Sequence, residues 1–252
     1  MRLLFIRHGD PDYERDGLTP AGEVEARLLV PRMQRENITE FFVSPLGRAQ
    51  ATARPTLEAL GRTAEEYGWL REFSIPIQRP DKNGARTFVP WDWLPADWLK
   101  DPRLSDRGHW RENEVMAAAQ VGEAYDRVTQ AFDALLAAHG YRRDGLLYSA
   151  ERPNTDTLAF FCHFGVACVF LSHLMNCSPM VLWHGMCMAP SSVTTVYTEE
   201  RRPGVAAFRT SAFGDVSHLY AEGVSPAFAA RFCEVYGDGT RADDGVMPET
   251  SP

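Results

Sequence analysis

What the chain lacks narrows it first. It has no excess of basic residues: 26 Lys and Arg stand against 34 Asp and Glu, a formal net charge of -8. A nucleic-acid groove needs the opposite balance, whereas a small phosphorylated ligand asks only for a few cations in a pocket. There is no C-x-x-C pair and no His/Cys spacing of a zinc site. The five cysteines, Cys162, Cys168, Cys177, Cys187 and Cys233, are an odd number in mostly apolar surroundings. They read as buried, reduced thiols of a cytoplasmic protein. Cys162 and His163 are adjacent, and neighbours on a strand face opposite ways, which argues against a nucleophilic dyad. Long apolar runs are missing too. The first stops at Arg7, too soon for a signal peptide; that from Phe164 to Met175 is too short for a bilayer and holds His173. No internal repeat appears, and biased composition is confined to residues 237–252, which read as a frayed tail.

What is present is ordinary for a soluble globular chain, with 44% hydrophobic and 24% charged residues. A length of 252 residues fits one large domain or a core with an inserted cap; we read residues 1–252 as a single domain. Leu3–Ile6 is a short apolar strand ending abruptly in Arg7-His8-Gly9. Thr19-Pro20 reads as an N-cap with proline at the first helical position, opening a helix to about Met33 that Pro31 should end or kink. Residues 40–43 form a second strand, and Ser44-Pro45 repeats the cap-and-proline device before a helix to about Leu60. Residues 72–111 change character: Phe73, Phe88, Trp91, Trp93, Trp98 and Trp110 crowd in among prolines and glycines. No period persists there, so the segment is an inserted lid or a large loop packed over the sheet. Its aromatics suit a satellite core or an apolar wall. Residues 113–139 have helical spacing throughout and stop at Gly140. Strands are expected at 146–150, 157–162, 193–198 and 206–211, with an apolar helix over 164–175.

Three strand ends carry polar groups: Arg7-His8, the turn from Ser44 to Arg48, and His163. Open α/β sheets gather such ends on one edge. Arg48 also falls in the first turn of its helix, where free N–H groups and the dipole favour an anion. Two imidazoles and two guanidiniums would then face one cavity, a site for a tetrahedral dianion that one imidazole can attack.

The ordered motifs resemble the histidine phosphatase superfamily, the phosphoglycerate-mutase-like group. The matching pieces are Arg7-His8-Gly9, Leu18-Thr19-Pro20-Ala21-Gly22, and Ser44-Pro45-Leu46-Gly47-Arg48-Ala49-Gln50-Ala51-Thr52-Ala53. Leu70-Arg71-Glu72 and Phe161-Cys162-His163-Phe164-Gly165 follow in order. The resemblance implies a three-layer α/β/α sandwich with a mostly parallel central sheet. It also implies a metal-independent phosphatase for a small phosphorylated metabolite, with no cofactor. His8 would form a phosphohistidine, Arg7, Arg48 and a protonated His163 would hold the phosphoryl oxygens, and Glu72 would be the proton donor. Asp10, Asp12 and Glu112 stay as alternative acids. His109, His139, His173, His184 and His218 read as structural or surface residues.

The chain departs from the group at Asp10-Pro11-Asp12-Tyr13, at Phe164, and after Glu72, where neither Gly-x-Trp-Glu-Gly nor Glu-Arg-His-Tyr-Gly occurs. These departures leave the phosphoryl-transfer residues in place and bear on the substrate. A phosphoglycerate-type mutase and a non-catalytic phospho-ligand sensor remain the alternatives. The apolar helix at 164–175 offers a face for a homodimer, and no nucleic-acid or membrane partner is expected.

Overall fold

A computed structural model describes residues 1–82, 88–227 and 231–236. In chain order it places β1 (Arg2–Arg7), β2 (Pro11–Asp12), β3 (Gly17–Leu18), α1 (Pro20–Arg35), β4 (Glu40–Val43), α2 (Gly47–Leu60) and β5 (Glu65–Glu66). After five short turns of 3-10 and α type among the described residues, including α3 (Pro95–Trp98), come α4 (Glu114–Ala118), α5 (Val121–Ala138), β6 (Tyr141–Asp144) and β7 (Leu147–Ala150). The chain continues through β8 (Thr157–Cys162), α6 (Phe164–Met175), α7 (Pro179–Gly185), β9 (Val193–Arg202), β10 (Val205–Asp215) and α8 (Ser217–Tyr220).

The result is a mixed α/β fold with a central eight-stranded sheet flanked by helices. The strand order is β5-β4-β8-β1-β9-β10-β7-β6. From β5 through β1 the neighbours run parallel; beyond β1 the sheet continues antiparallel. The parallel part positions the site. Arg7 pairs in register with Cys162, and Val43 with Phe161, so β1, β4 and β8 end at one level. Their ladder runs past the strand ends: the His8 N–H donates to the Cys162 carbonyl and the Ser44 N–H to the Phe161 carbonyl, each at 3.0 Å.

Both faces of the parallel part of the sheet are buried. Phe5, Phe160 and Phe170 pack with Phe132 on one side; Leu4, Ile6, Phe161 and Leu29 pack on the other. Each fully buried phenylalanine contributes roughly 1.5–3 kcal/mol, enough to override weak local signals. Helix α1 shows this: it begins on its Thr19 cap but runs through Pro31 to Arg35. Its buried face of Ala26, Leu29 and Met33 holds the helix across the missing N–H. The continuous helix expected over 113–139 is instead α4 and α5, broken where Gln120 adopts φ 53. Strand β6 and helix α7 were not expected at all; β6 reads Tyr-Arg-Arg-Asp and lies at the sheet edge, where polar residues are tolerated.

Residues 72–111 are packed rather than loose where described. Trp93, Trp98, Leu104 and Trp110 are all buried and join the main core. Cys162 and Cys168 are buried as expected, but Cys187 is exposed. No described helix is long and apolar enough to cross a membrane. The tail at 237–252 lies outside the described residues.

Candidate active site

His8 sits at the end of β1, 2% exposed. Its Nδ1 lies 2.8 Å from the Gly9 carbonyl. Nδ1 therefore carries the proton and donates it to that oxygen, and the lone pair is left on Nε2. Burial, reinforced by Arg7 and Arg48, pushes the His8 pKa well below its ordinary value. The ring is thus neutral near pH 7, the state a nucleophile needs.

Two guanidiniums flank it. Arg7 is buried and donates to the Met188 carbonyl. Arg48 is fixed from the opposite side by Asp16, whose Oδ1 accepts from Nη1 at 2.6 Å while its Oδ2 accepts from the Gly47 N–H at 2.7 Å. The Tyr13 ring centroid lies 5.5 Å from the Arg48 guanidinium carbon. One carboxylate therefore caps α2 and orients the cation in its first turn. Sequence reasoning did not single out Asp16, because an acid in a polar loop carries no signal until the loop is folded.

His163 follows β8, its ring centroid 5.2 Å from that of His8. Its Nε2 is 2.7 Å from Ser44 Oγ, and that oxygen already accepts from the Leu46 N–H. With the Ser44 O–H donating to Nε2, the neutral His163 ring carries its proton on Nδ1, the tautomer that presents a donor to an anion. Ser44 was expected to cap α2, but the cap position is Leu46 with no side-chain bond; the hydroxyl is spent on the second imidazole instead. The expected imidazolium is also disfavoured here. Burial first, then His8, Arg48 and Arg7, hold the His163 pKa well below its usual value. A neutral ring with Nδ1–H still donates a hydrogen bond.

Arg7 Nε, Arg48 Nε and His163 Nδ1 are buried and lack a partner among the described residues. Three unsatisfied donors around one imidazole are costly unless an anion completes them. The N-termini of α2 and α6 add their orphan N–H groups to the same region.

Glu72 stands at the N-terminus of α6. Its Oε1 accepts from the Phe73 N–H at 2.8 Å and the Val166 N–H at 3.1 Å, which leaves Oε2 to carry a proton. Desolvation raises the Glu72 pKa despite those donors and the nearby Arg48 and Arg7. The three alternative acids are engaged elsewhere or distant in role. Asp10 Oδ2 accepts from Thr19, Asp12 accepts from the backbone at 14 and 15, and Glu112 belongs to a surface 3-10 turn. The Leu-Thr-x-x-Gly motif also finds its reason: a Cβ on Gly22 would lie 2.3 Å from the Asp10 carbonyl oxygen, so only glycine lets α1 start there.

The structure thus brings Arg7, His8, Arg48, Glu72 and His163 to one edge of the sheet. No group of three His, Cys, Asp or Glu suited to a metal ion occurs among the described residues. If Asp16 pre-positions Arg48, Asp16→Ala should weaken inhibition by inorganic phosphate about tenfold, and Asp16→Asn should restore part of it. Competitive inhibition constants measured on the three proteins check this.

A family model of the histidine phosphatase superfamily (branch 1) matches residues 3–210, and the chain belongs to that superfamily. A probable phosphoglycerate mutase of an Enterobacter species is 24% identical over 151 residues, covering 56% of this chain and 70% of that one. The fold matches a phosphoserine phosphatase from Entamoeba histolytica with TM-score 0.57 and 16% identity, over 86% of this chain and 98% of that one. It also matches a mycobacterial glucosyl-3-phosphoglycerate phosphatase with TM-score 0.54 and 18% identity, over 84% and 98%.

Proposed function

We propose that the protein is a metal-independent phosphatase that hydrolyses a small phosphorylated metabolite through a phosphohistidine on His8. The observation that carries this is the buried His8 ring, its Nδ1 bonded to the Gly9 carbonyl and its charged form disfavoured by burial and by Arg7 and Arg48. Nε2 attacks phosphorus in line, the bond from phosphorus to the ester oxygen breaks, and Glu72 Oε2 protonates the departing alkoxide. Arg7, Arg48 and the His163 Nδ1–H hold the equatorial oxygens and stabilise the charge that spreads onto them. Glu72, now a carboxylate, takes a proton from water as its oxygen attacks phosphorus. The bond to His8 then breaks, releasing inorganic phosphate and returning both residues to their starting states.

The test is turnover of p-nitrophenyl phosphate in the presence of EDTA, with 3-phosphoglycerate assayed in parallel. Phosphate release unaffected by the chelator supports the reading. Transfer of the phosphoryl group to another phosphoglycerate hydroxyl, with little release to water, would favour a mutase and overturn it.

The acid has its own signature. Glu72 must be protonated to act, and its raised pKa extends the active form upward from the ordinary carboxylate range. Activity on alkyl phosphates should therefore fall as pH rises through the Glu72 pKa. On the acid side the depressed His8 pKa preserves the nucleophile well below pH 6.5. Glu72→Gln should slow phosphorylation of His8 by alkyl phosphates about 10²–10⁴-fold, spare the first-turnover burst of p-nitrophenolate and erase the falling limb. Equal losses in that phosphorylation step on both substrates would show that another group is the acid.

A further inference from the structure

The sequence offers three tryptophans, Trp91, Trp93 and Trp98, as an apolar wall; the folded chain separates them. Trp93 and Trp98 are 5% and 4% exposed and belong to the core. Trp91 is half-buried and reaches the reaction centre. A Cβ built on Gly165 would lie 2.5 Å from the Trp91 ring edge and 2.7 Å from Glu72 Oε1. The indole edge and the proton-donor carboxylate thus meet over the first turn of α6, two residues after His163.

Trp91 is not alone there. It stands edge-on to Phe164, with centroids 6.2 Å apart, and tilted against Trp183 at 5.9 Å. Trp183 is locked by its own N–H to the Gly165 carbonyl and by stacking on Phe73. Trp183 and Phe73 are buried, whereas Trp91 and Phe164 keep accessible surface. The Trp91 ring edge lies beside the proton-donor carboxylate, on its Oε1 side across Gly165.

Of the cations in the described part of the 72–111 segment, Arg79, Lys100, Arg103 and Arg111 are paired with Asp81, Asp97, Asp101 and Asp126, and Arg107 is exposed. Arg71 is exposed and lines a cleft with Glu72 and Arg127, which makes it the cation a carboxylated substrate would use in place of the indole wall.

We infer that Trp91 is the specificity-determining residue of this site and that the substrate is a phosphate monoester of an alcohol with an apolar or aromatic body. This rests on the phosphatase reading above. It separates the chain from a site built for a compact carboxylated alcohol such as phosphoserine or phosphoglycerate, whose carboxylate an indole face would leave unpaired.

Ethyl phosphate and 2-phenylethyl phosphate test this with leaving groups of closely similar acidity, so their ratio reads the wall and not the chemistry. Wild-type kcat/KM should favour the phenylethyl ester by about 10–100-fold. Trp91→Ala should collapse that ratio to within about threefold by lowering the phenylethyl value, and Trp91→Phe should keep most of it. Equal rates on the two esters in wild type, or a preference for phosphoserine or 3-phosphoglycerate that Arg71→Ala abolishes, would overturn the inference. Absence of any His8-dependent hydrolysis, including of p-nitrophenyl phosphate, would instead remove the phosphatase reading on which it stands.

Discussion

Alanine in place of His8 should remove turnover by at least about 10⁴-fold in kcat/KM while the protein keeps its fold. The size follows from the role: the phosphoryl group has no other proposed acceptor, and a water held by Arg7 and Arg48 lacks an activated base at that position. The fold should survive because the ring contributes little to it. Its single hydrogen bond is to the carbonyl of its own neighbour, Gly9, and it lies among cations that disfavour its charged form. A bond of that kind is worth about 0.5–1.5 kcal/mol, so the melting temperature should shift by only a few degrees. Phosphate release and thermal melting on the same preparation check both halves. Retention of wild-type turnover by a folded variant would end the proposed role of His8.

Gly165→Ala should disturb the same acid from the helix beside it, and two opposing magnitudes decide its form. Alanine in a helix is favoured over glycine by about 1 kcal/mol. The new methyl, however, would sit 2.5 Å from the Trp91 ring and 2.7 Å from Glu72 Oε1, distances at which one of the two must move. Overpacking of this kind costs about 1–3 kcal/mol, so stability should change by at most about 2 kcal/mol. Catalysis should suffer more. Displacing the acid by even 1 Å costs about 10²-fold in steps that need it. In the phosphorylation step alkyl phosphates should lose about that much, and p-nitrophenyl phosphate, whose leaving group hardly needs a proton, should lose far less in its first-turnover burst. A uniform loss on both substrates would mean that the substitution disturbs phosphate binding rather than the acid.

The site was legible wherever a residue's role is carried by a short motif at a strand end. Arg7, His8, Arg48 and His163 needed only the expectation that parallel strands deliver their ends to one edge, and β1, β4 and β8 do so in register. The Thr19 cap was legible for the same reason: it is a local device and its side chain accepts from the Gly22 N–H as such a cap should. Ser44 was misread because the same device was assumed to repeat. The structure gives its hydroxyl to His163, 119 residues away in sequence, a partner no local pattern reveals. Asp16 escaped notice for a similar reason, since its two acceptor oxygens find Gly47 and Arg48 only after the loop closes on α2. The state of His163 was not legible because it is set by burial first, and then by His8, Arg48 and Arg7, groups that only the fold gathers around the ring. The break at Gln120 lies beyond periodicity altogether. Apolar spacing continues through it while the backbone turns left-handed for one residue.

The central claim is a covalent phosphoryl group on His8, and one measurement reaches it directly. The protein is mixed with a phosphate monoester labelled in its phosphoryl group, quenched during turnover into alkali, where phosphohistidine persists and acyl phosphates do not, and digested for mapping by mass spectrometry. The expected result is label on the peptide containing His8, absent from His8→Ala and chased into inorganic phosphate when unlabelled substrate is added. Phosphate release at full rate with no labelled peptide, or label on any other residue, would contradict it.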